Sequence, residues 1–319
     1  MIGIKGIGTY VPAGRESNFD KQEKFGIDEK FIVGKLGVER VSRKAADEET
    51  SDLCVSAIRD LESQVGRAIA AVDCLVVCTQ NSDRRGLPHT SAIVHGKLDL
   101  QKDCACFDIS LGCSGYVYGL SVVTGFMRAN GFATGLLVTA DPYSKIVDPD
   151  DKNTVLLFGD GAAATLLEDG CTSGEWVPGP FLFGTLGKDG GALENRDGKL
   201  FMNGRAVFNF SATEVPAQVK ALLEKVGLSE ADIDQFLFHQ GSKFIVDHLI
   251  KRLALPAEKV PMNLADQGNT VSSSLPLLLK ERINDKTLNR LLLSGFGVGL
   301  SWASCILQRA NSRPATPGG

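Results

Sequence analysis

The sequence predicts an α/β fold made of two similar halves that stack in five layers, in the order αβαβα. Strand-like apolar runs alternate with helix-like segments along the chain, and the order of segments in residues 1–170 recurs in residues 171–319. Alternating strands and helices form doubly wound layers, and two such layers joined by their helices give five. We therefore expect one domain over each half.

The elements of the first half follow from its apolar runs, in chain order. A strand at 75–79 is followed by a helix, and a second strand then leads through a glycine turn to a long apolar helix at Cys113. Further strands are expected at 135–140 and at 161–167, the latter edge-like.

The second half repeats this order. A strand at 236–239 is followed by a helix at 244–253 and a strand at 260–264. Asn269 and its helix come next, and the half ends with strands at 291–294 and 302–307. Asn269 therefore occupies in the second copy the place that Cys113 has in the first.

The composition is that of an ordinary globular protein. The chain has 319 residues, of which 43% are hydrophobic and 23% charged, and its net charge is -4, so we expect no nucleic-acid partner. Its apolar runs are far shorter than the roughly 20 residues that a membrane span needs, so no membrane is expected either. The Pro/Gly-rich tail, residues 311–319, is expected to be frayed.

The cysteines indicate a reducing compartment. Most of the eight cysteines lie within apolar runs, and no secretory signal precedes them, which points to the cytoplasm. The close pairs, Cys74 with Cys78 and Cys104 with Cys106, lie in strand-like runs, and no histidine is near the first pair. We therefore expect no metal site.

Cys113 stands where a strand gives way to a helix, in the run CFDISLGCSGY at 106–116. A thiol at a helix N-terminus lies among unpaired backbone N–H groups and the positive end of the macrodipole, and both favour the nucleophilic thiolate. A small buried apolar residue is the usual fate of a free cysteine. On this segment alone both interpretations stay open.

The duplication suggests that three reactive side chains converge. If the copies pack about a pseudo-twofold axis, Cys113 and Asn269 both approach the centre of the molecule. His239 ends a strand of the second copy, at the carboxyl edge where α/β sheets place their ligands. Taken singly, His239 could instead be a satisfied core histidine and Asn269 a turn or cap residue.

Five segments together resemble a known family. They read, in order, DISLGCSG (108–115), LFGDGAA (157–163), FHQ (238–240), GNT (268–270) and GVGLSW (297–302). In order and spacing they are similar to the 3-oxoacyl-[acyl-carrier-protein] synthase III family, on the thiolase fold. The similarity runs from Gly6 to about Leu307.

The resemblance implies a decarboxylating Claisen condensation between an acyl thioester and a malonyl thioester. It assigns Cys113, His239 and Asn269 to a catalytic triad, and the backbone N–H groups of Cys113 and Val298 to an oxyanion hole. Coenzyme A and acyl-carrier-protein thioesters are then the substrates, with no further cofactor. An acyl carrier protein and a second copy in a homodimer are the implied partners.

Two absences narrow the chemistry. The chain has only four histidines and position 269 is Asn, so the Cys-His-His set of elongating ketosynthases does not fit. Thiolases carry a second catalytic cysteine in the C-terminal glycine loop, and that loop reads SGFGVG at 294–299. Reversible thiolysis is therefore not expected.

The substrate rim departs from the family pattern. By the resemblance, Phe31, Lys35 and Lys152 stand where a Trp and two Arg grip the coenzyme A nucleotide, and Phe244 replaces a docking Arg. Leu87 is expected to reach across the dimer interface to close the partner's acyl tunnel. These departures favour a dedicated-pathway paralogue over the housekeeping initiator of fatty acid synthesis.

Carrier-protein docking rests on one basic pair. Lys251 and Arg252 match the residues of the family that meet an acidic carrier protein, although a solvated helix face explains them equally well.

Two other functions stay open on the sequence alone. An acyl-cysteine enzyme of the same fold could transfer its acyl group elsewhere or hydrolyse the thioester, but no separate base for water is recognisable. A catalytically silent partner subunit of a ketosynthase would be expected to lose its nucleophile, whereas Cys113, His239 and Asn269 are all present.

Overall fold

The structure, a computed structural model, describes residues 1–310; the tail at 311–319, for which fraying is expected, lies outside the described residues. The α-helices are α1 (Gln22–Phe25), α2 (Thr50–Val65), α3 (Thr90–Leu98), α4 (Gly115–Asn130), α5 (Lys152–Val155), α6 (Gly204–Val226), α7 (Lys243–Leu253) and α8 (Ser274–Lys280). The strands are β1 (Gly3–Tyr10), β2 (Gly14–Ser17), β3 (Arg40–Arg43), β4 (Cys74–Cys78), β5 (Ala105–Ile109), β6 (Thr134–Ala140), β7 (Ala162–Glu168), β8 (Trp176–Thr185), β9 (Leu193–Arg196), β10 (Lys199–Met202), β11 (Gln235–Phe238), β12 (Arg290–Gly297) and β13 (Ser301–Arg309). A π-helical segment, Lys30–Leu36, precedes β3.

Nine strands form one hydrogen-bonded sheet in the order β11-β12-β13-β8-β1-β7-β6-β4-β5. The five strands at the β5 end come from the first half and the four at the β11 end from the second, and the two sets meet where Ile4 of β1 pairs with Trp176 of β8. In the first set β4 runs parallel to β5 and β6, and β7 is antiparallel to β6. In the second set β11 runs parallel to β12, and β13 is antiparallel to β12. This repeated order confirms the duplicated α/β fold.

Helices cover both faces of each set of strands. Helices α2 and α3 pack on the outer face of the first set, and α6 and α7 on the outer face of the second, while α4 and α8 lie between the two sets. Side chains along a strand point alternately to the two faces, so Leu75 and Val77 enter the outer core and Val76 the central one. In β12, Leu292 and Leu293 divide in the same way. The result is the five-layered αβαβα arrangement.

Two expected elements differ from the structure. Residues 260–264 form no strand, because Pro261 lacks the N–H that a ladder requires, and the N–H of Asn263 donates to Gln240 Oε1 at 3.3 Å. The run expected at a sheet edge, 161–167, is β7 and lies inside the sheet, because the N-terminal strand β1 pairs antiparallel along it. Neither β1 nor β8, the two strands that join the halves, was identified from the sequence.

Candidate active site

Cys113 lies in the tight turn between β5 and α4. The N–H of Gly115 donates to Gly112 O at 2.8 Å, and the N-cap of α4 is Ser114, so Cys113 precedes the cap by one residue rather than forming it. The glycine loop after β12 packs directly on this turn, since a Cβ at Gly297 would lie 2.7 Å from Cys113 Sγ. Only glycine allows this close approach of backbone to sulfur.

Burial dominates the acidity of Cys113. It raises the pKa of the thiol to about 12, with a further upward contribution from the negative charge of Asp141. The N–H groups of Val298 and of Cys113 itself lie close enough to the sulfur to lower the pKa, yet they do not offset the loss of water. The helix terminus favours the thiolate, as the sequence indicates, but burial outweighs this effect, and the raised pKa favours a neutral thiol in the resting site.

His239 follows β11 and is held at both its backbone and its ring. Its N–H donates to Ser294 O at 2.9 Å, and its Nδ1 lies 2.7 Å from the hydroxyl oxygen of Ser274, the first residue of α8. Burial lowers the pKa of His239 to about 3, so the imidazole is neutral at physiological pH. With Nδ1 engaged by Ser274, the other ring nitrogen, Nε2, is left for the cavity.

Asn269 is fixed by the chain on either side of it. Its N–H donates to Leu157 O at 2.8 Å and its carbonyl accepts from Gly159 at 3.0 Å, while its side-chain Oδ1 accepts from the N–H of Val271 at 2.9 Å. Val271 adopts a φ of 53°, a left-handed conformation that is unfavourable for a β-branched residue. Because Oδ1 is already bonded, the amide NH₂ is the group that Asn269 can offer to a ligand.

One cavity of about 690 Å³ brings the three side chains together. Cys113, His239 and Asn269 all line it, and so do four of the expected rim residues, namely Phe31, Lys35, Lys152 and Phe244. Over residues 1–310, its lining includes cations but no carboxylate. The cavity therefore combines a buried nucleophile with a positively charged entrance.

Aromatic rings and cations form the rim of this cavity. Lys35 Nζ lies 5.5 Å from the centroid of the Phe31 ring and 5.8 Å from that of Phe244. Lys152 Nζ lies 5.9 Å from the Phe31 ring, so one ring contacts both lysines. At these distances each ammonium is attracted by the electron-rich face of the ring, which holds the lysines at the entrance.

Three further expected residues lie elsewhere. Leu87 is 85% exposed and does not line the cavity of its own chain. Lys251 and Arg252 are both exposed on the last turn of α7, the helix whose first turn carries Phe244. A dimer contact for Leu87 and carrier docking for the basic pair stay predictions.

Sequence reasoning missed two residues of the site. Ser274 contacts His239, but it lies in a serine run after Asn269 where no spacing marks one hydroxyl over another. Arg205 lines the cavity from the first turn of α6 and adds a guanidinium to the two rim lysines. An isolated Arg at a helix start carries no sequence signal, because only the packing of α6 brings it to the entrance.

The duplicated fold, with a cysteine, a histidine and an asparagine on one cavity, is the arrangement of a thiolase-fold ketosynthase. The family model described as 3-oxoacyl-[acyl-carrier-protein (ACP)] synthase III matches residues 107–184, and the one for its C-terminal part matches residues 223–309. The beta-ketoacyl-[acyl-carrier-protein] synthase III 2 of Streptomyces coelicolor is 36% identical over 319 residues, covering 98% of this chain and 94% of the relative. The chain belongs to the 3-oxoacyl-[acyl-carrier-protein] synthase III family.

Solved structures agree with this assignment. A crystal structure of a 3-oxoacyl-(acyl-carrier-protein) synthase III matches with a TM-score of 0.90 at 35% identity, covering 96% of this chain and 99% of that chain. The priming beta-ketosynthase from the R1128 polyketide biosynthetic pathway matches with a TM-score of 0.86 at 26% identity, covering 98% and 97%. The protein is thus an acyltransferase of the ketosynthase type. Within residues 1–310, no helix is both long enough and apolar enough to cross a membrane.

Proposed function

We propose that this ketosynthase condenses an acyl thioester with malonyl-carrier protein through an acyl-cysteine at Cys113, giving a 3-oxoacyl thioester and carbon dioxide. The observation that carries the proposal is the meeting of Cys113, His239 and Asn269 on one cavity without a carboxylate in its described lining. The nucleophile then belongs to the first domain, 1–170, and the two donors to the second, 171–319. The steps transfer an acyl group, release carbon dioxide or move a proton, and none passes electrons to an external acceptor, so the reaction needs no cofactor beyond its thioester substrates.

In the first step Cys113 takes the acyl group. The sulfur adds to the thioester carbonyl carbon, the bond from that carbon to the donor sulfur breaks, and the donor leaves as a free thiol. The thiol proton must leave Cys113 for this to occur, and Nε2 of His239 can accept it in the tautomer whose Nδ1–H donates a hydrogen bond to Ser274. The imidazolium then passes this proton to the departing donor sulfur. A hydroxyl can accept or donate a hydrogen bond, so Ser274 supports either tautomer of His239.

In the second step the malonyl group loses carbon dioxide. The electron pair of the broken carbon–carbon bond leaves an enolate, whose oxygen can accept hydrogen bonds from Nε2–H of His239 and from the amide of Asn269. A neutral imidazole suits this role because it donates a hydrogen bond while keeping its proton, and burial keeps His239 neutral.

In the third step the enolate carbon attacks the acyl-cysteine carbonyl. Negative charge develops on that oxygen, and the N–H groups of Cys113 and Val298, which lie close to the sulfur, can donate hydrogen bonds to it. Collapse of the intermediate breaks the bond between the acyl carbon and the sulfur of Cys113 and releases the 3-oxoacyl product. The sulfur leaves as a thiolate and regains a proton from water.

The site supports condensation over thioester hydrolysis. A hydrolase must hold and activate water beside the acyl-cysteine, a task usually given to a carboxylate or a free imidazole. The lining described for this cavity contains no carboxylate, and the amide NH₂ of Asn269 is available as a second donor for an enolate oxygen. A silent partner subunit is disfavoured because the nucleophile and both donors are present.

Product analysis separates these functions. The protein is mixed with acetyl-CoA and malonyl-carrier protein, and the products are identified by mass spectrometry beside a Cys113→Ala control. We expect acetoacetyl-carrier protein from the unmodified protein and none from the control. Acetate as the main product would instead establish a hydrolase, and no turnover of either thioester would indicate a silent subunit.

The proposed partners are an acyl carrier protein and a second copy of the chain. Lys251 and Arg252 expose two positive charges near the cavity rim residue Phe244, on the same helix, which suits an acidic carrier surface. In the described part of the chain no strand pairs with the outer side of β5, and such an open edge is a common site of dimer formation. The proposed thioester substrates support a cytoplasmic location.

A further inference from the structure

Asn269 is held in place by the other half of the chain. Its N–H donates to Leu157 O at 2.8 Å, and its carbonyl accepts from the N–H of Gly159 at 3.0 Å. The two segments approach so closely that a Cβ at Gly159 would overlap the carbonyl oxygen of Gln267. The position of the Asn269 amide in the cavity therefore depends on where residues 157–159 lie.

Residues 157–159 follow a very short helix. Helix α5 has only four residues, and the last carbonyls of a helix have no donor within the helix. Phe158 lines the cavity, so this segment forms part of the cavity wall. The segment therefore needs donors from elsewhere to keep one position, and the carbonyls of Val155 and Phe158 receive them from a single side chain.

That side chain is Arg43, the last residue of β3. Its Nη1 donates to Phe158 O at 2.6 Å and its Nη2 donates to Val155 O at 3.2 Å. Its Nε donates to Glu16 Oε1 at 3.0 Å, and the side chain is only 14% exposed. Because the donors of a guanidinium have a fixed, planar geometry, this one residue sets the spacing between the end of α5 and the cavity wall.

The residue before Arg43 contacts both segments as well. Ser42 Oγ lies 2.5 Å from Asp160 O and 3.0 Å from Gln267 O, and the N–H of Ser42 donates to Gln267 O at 3.1 Å. Strand β3 is therefore bonded both to the segment that holds Asn269 and to the segment that carries it.

We propose that Arg43 is a positioning residue for decarboxylation, and that it acts by keeping residues 157–159, and with them the Asn269 amide, where the enolate oxygen forms. The inference rests on the proposed function, because it needs the role given there to Asn269. Cys113 lies in the turn after β5, which receives none of the hydrogen bonds of Arg43. Loss of Arg43 should therefore spare the acylation of Cys113.

Measuring the two half-reactions separately tests the inference. Acylation of the full-length protein by acetyl-CoA is followed by intact-mass spectrometry, and carbon dioxide release from malonyl-carrier protein is then followed on the acetylated enzyme. Arg43→Gln should slow carbon dioxide release by at least about tenfold, because a small displacement of a group that acts on the reacting atoms costs this much or more. The acylation rate should stay nearly unchanged.

Two further variants show whether the geometry of the guanidinium matters. Arg43→Lys should recover part of the rate of carbon dioxide release, because an ammonium can reach one carbonyl but cannot span two. It also keeps the test decisive if Arg43→Gln fails to fold. The matched control is Lys44→Gln, which removes the neighbouring positive charge. The side chain of Lys44 donates to the carbonyls of Ala45 and Glu48 instead, so this variant should change neither rate.

A double variant separates positioning from general damage. If Arg43 acts through Asn269, Arg43→Gln added to Asn269→Ala should slow carbon dioxide release no further than Asn269→Ala alone. Effects that multiply, equal slowing of both half-reactions, or unchanged carbon dioxide release in a cooperatively folding Arg43→Gln variant would each overturn the inference and leave the proposed function standing. The absence of any acetyl adduct on the unmodified protein would overturn the proposed function itself, and the inference with it.

Discussion

The reactivity of Cys113 depends on opposed effects at one sulfur atom. Burial raises its pKa to about 12, and the two nearby N–H groups lower it without compensating. The site therefore stores the nucleophile as a thiol and must remove its proton when a thioester is bound. His239 lines the same cavity and can accept this proton at Nε2, because Ser274 can adapt to either tautomer of its ring.

His239 predicts a pH dependence of stability. Its pKa is lowered from 6.5 to about 3 in the folded chain, so the neutral form is favoured by folding. Stability from this group is fully present above pH 6.5 and is lost as pH falls from 6.5 towards 3, by about 1.4 kcal/mol per pH unit. Urea unfolding of the unmodified protein and of His239→Gln between pH 7.5 and 4.5 should show the unmodified protein losing stability faster, by about that slope. Parallel curves would contradict the buried neutral imidazole.

The proposed role of Asn269 predicts that its loss affects decarboxylation more than acylation of Cys113. Removing its amide in Asn269→Ala should slow decarboxylation by about 10²–10³-fold, the usual effect of losing one oxyanion donor, while acylation of Cys113 is affected far less. Acylation is followed by intact mass and decarboxylation by carbon dioxide release.

A neighbouring residue supplies the matched control. Thr270→Val changes a buried hydroxyl that has no hydrogen-bond partner among the described residues, and it should leave both steps intact. If Asn269→Ala slowed both steps equally, its assignment to the enolate would be wrong.

The entrance of the cavity is assembled by four separate elements. The π-helical segment Lys30–Leu36 brings Phe31 and Lys35, and the short helix α5 brings Lys152. Helix α6 brings Arg205 and α7 brings Phe244. The sequence identified the lysines as weaker phosphate ligands than arginines, but only the structure adds one guanidinium back through Arg205.

The positions of Arg205 at the cavity entrance and of Lys251 on α7 predict that they bind different acyl donors. Arg205→Gln should raise the KM for acetyl-CoA about tenfold and leave acetyl-pantetheine, which has no phosphate, unchanged. The matched control is Lys251→Gln on the last turn of α7, which should impair carrier-protein donors more than acetyl-CoA. The effects of both substitutions are measured by steady-state acylation with acetyl-CoA, acetyl-pantetheine and an acyl-carrier-protein donor. Equal effects of Arg205→Gln on acetyl-CoA and acetyl-pantetheine would exclude a phosphate contact.

At the scale of the whole molecule, the duplication was visible in the sequence and the contacts that join its copies were not. Apolar periodicity located the strands beside Cys113 and His239, because buried strands must be apolar. The same rule placed a strand at 260–264, where Pro261 prevents pairing. Periodicity cannot show how much water a site loses on folding, so the raised pKa of Cys113 was not predictable from the sequence. The contact between Ser274 and His239 was not predictable either, because it depends on how α8 packs against the end of β11.

The open edge of β5 and the exposed Leu87 predict a homodimer. A leucine side chain left 85% exposed is expected to gain a partner, because its burial is favourable by about 1.5–3 kcal/mol. Analytical ultracentrifugation across a dilution series down to low nanomolar concentration should show a dimer, and Leu87→Asp should weaken it. A stable monomer with full activity at every concentration would refute the dimer.

The central claim is that Cys113 carries the acyl group between two half-reactions, and a chase of the isolated acyl-enzyme tests it most directly. The protein is acylated with labelled acetyl-CoA and freed of excess donor. Peptide mapping of one portion locates the label, and the remainder is mixed with malonyl-carrier protein or with buffer alone. We expect the label on Cys113, persistence of the adduct in buffer, and rapid transfer of the label into acetoacetyl-carrier protein when the malonyl substrate is added. A label that resides on another residue, or one that is lost to water at the same rate with and without malonyl-carrier protein, would contradict the account.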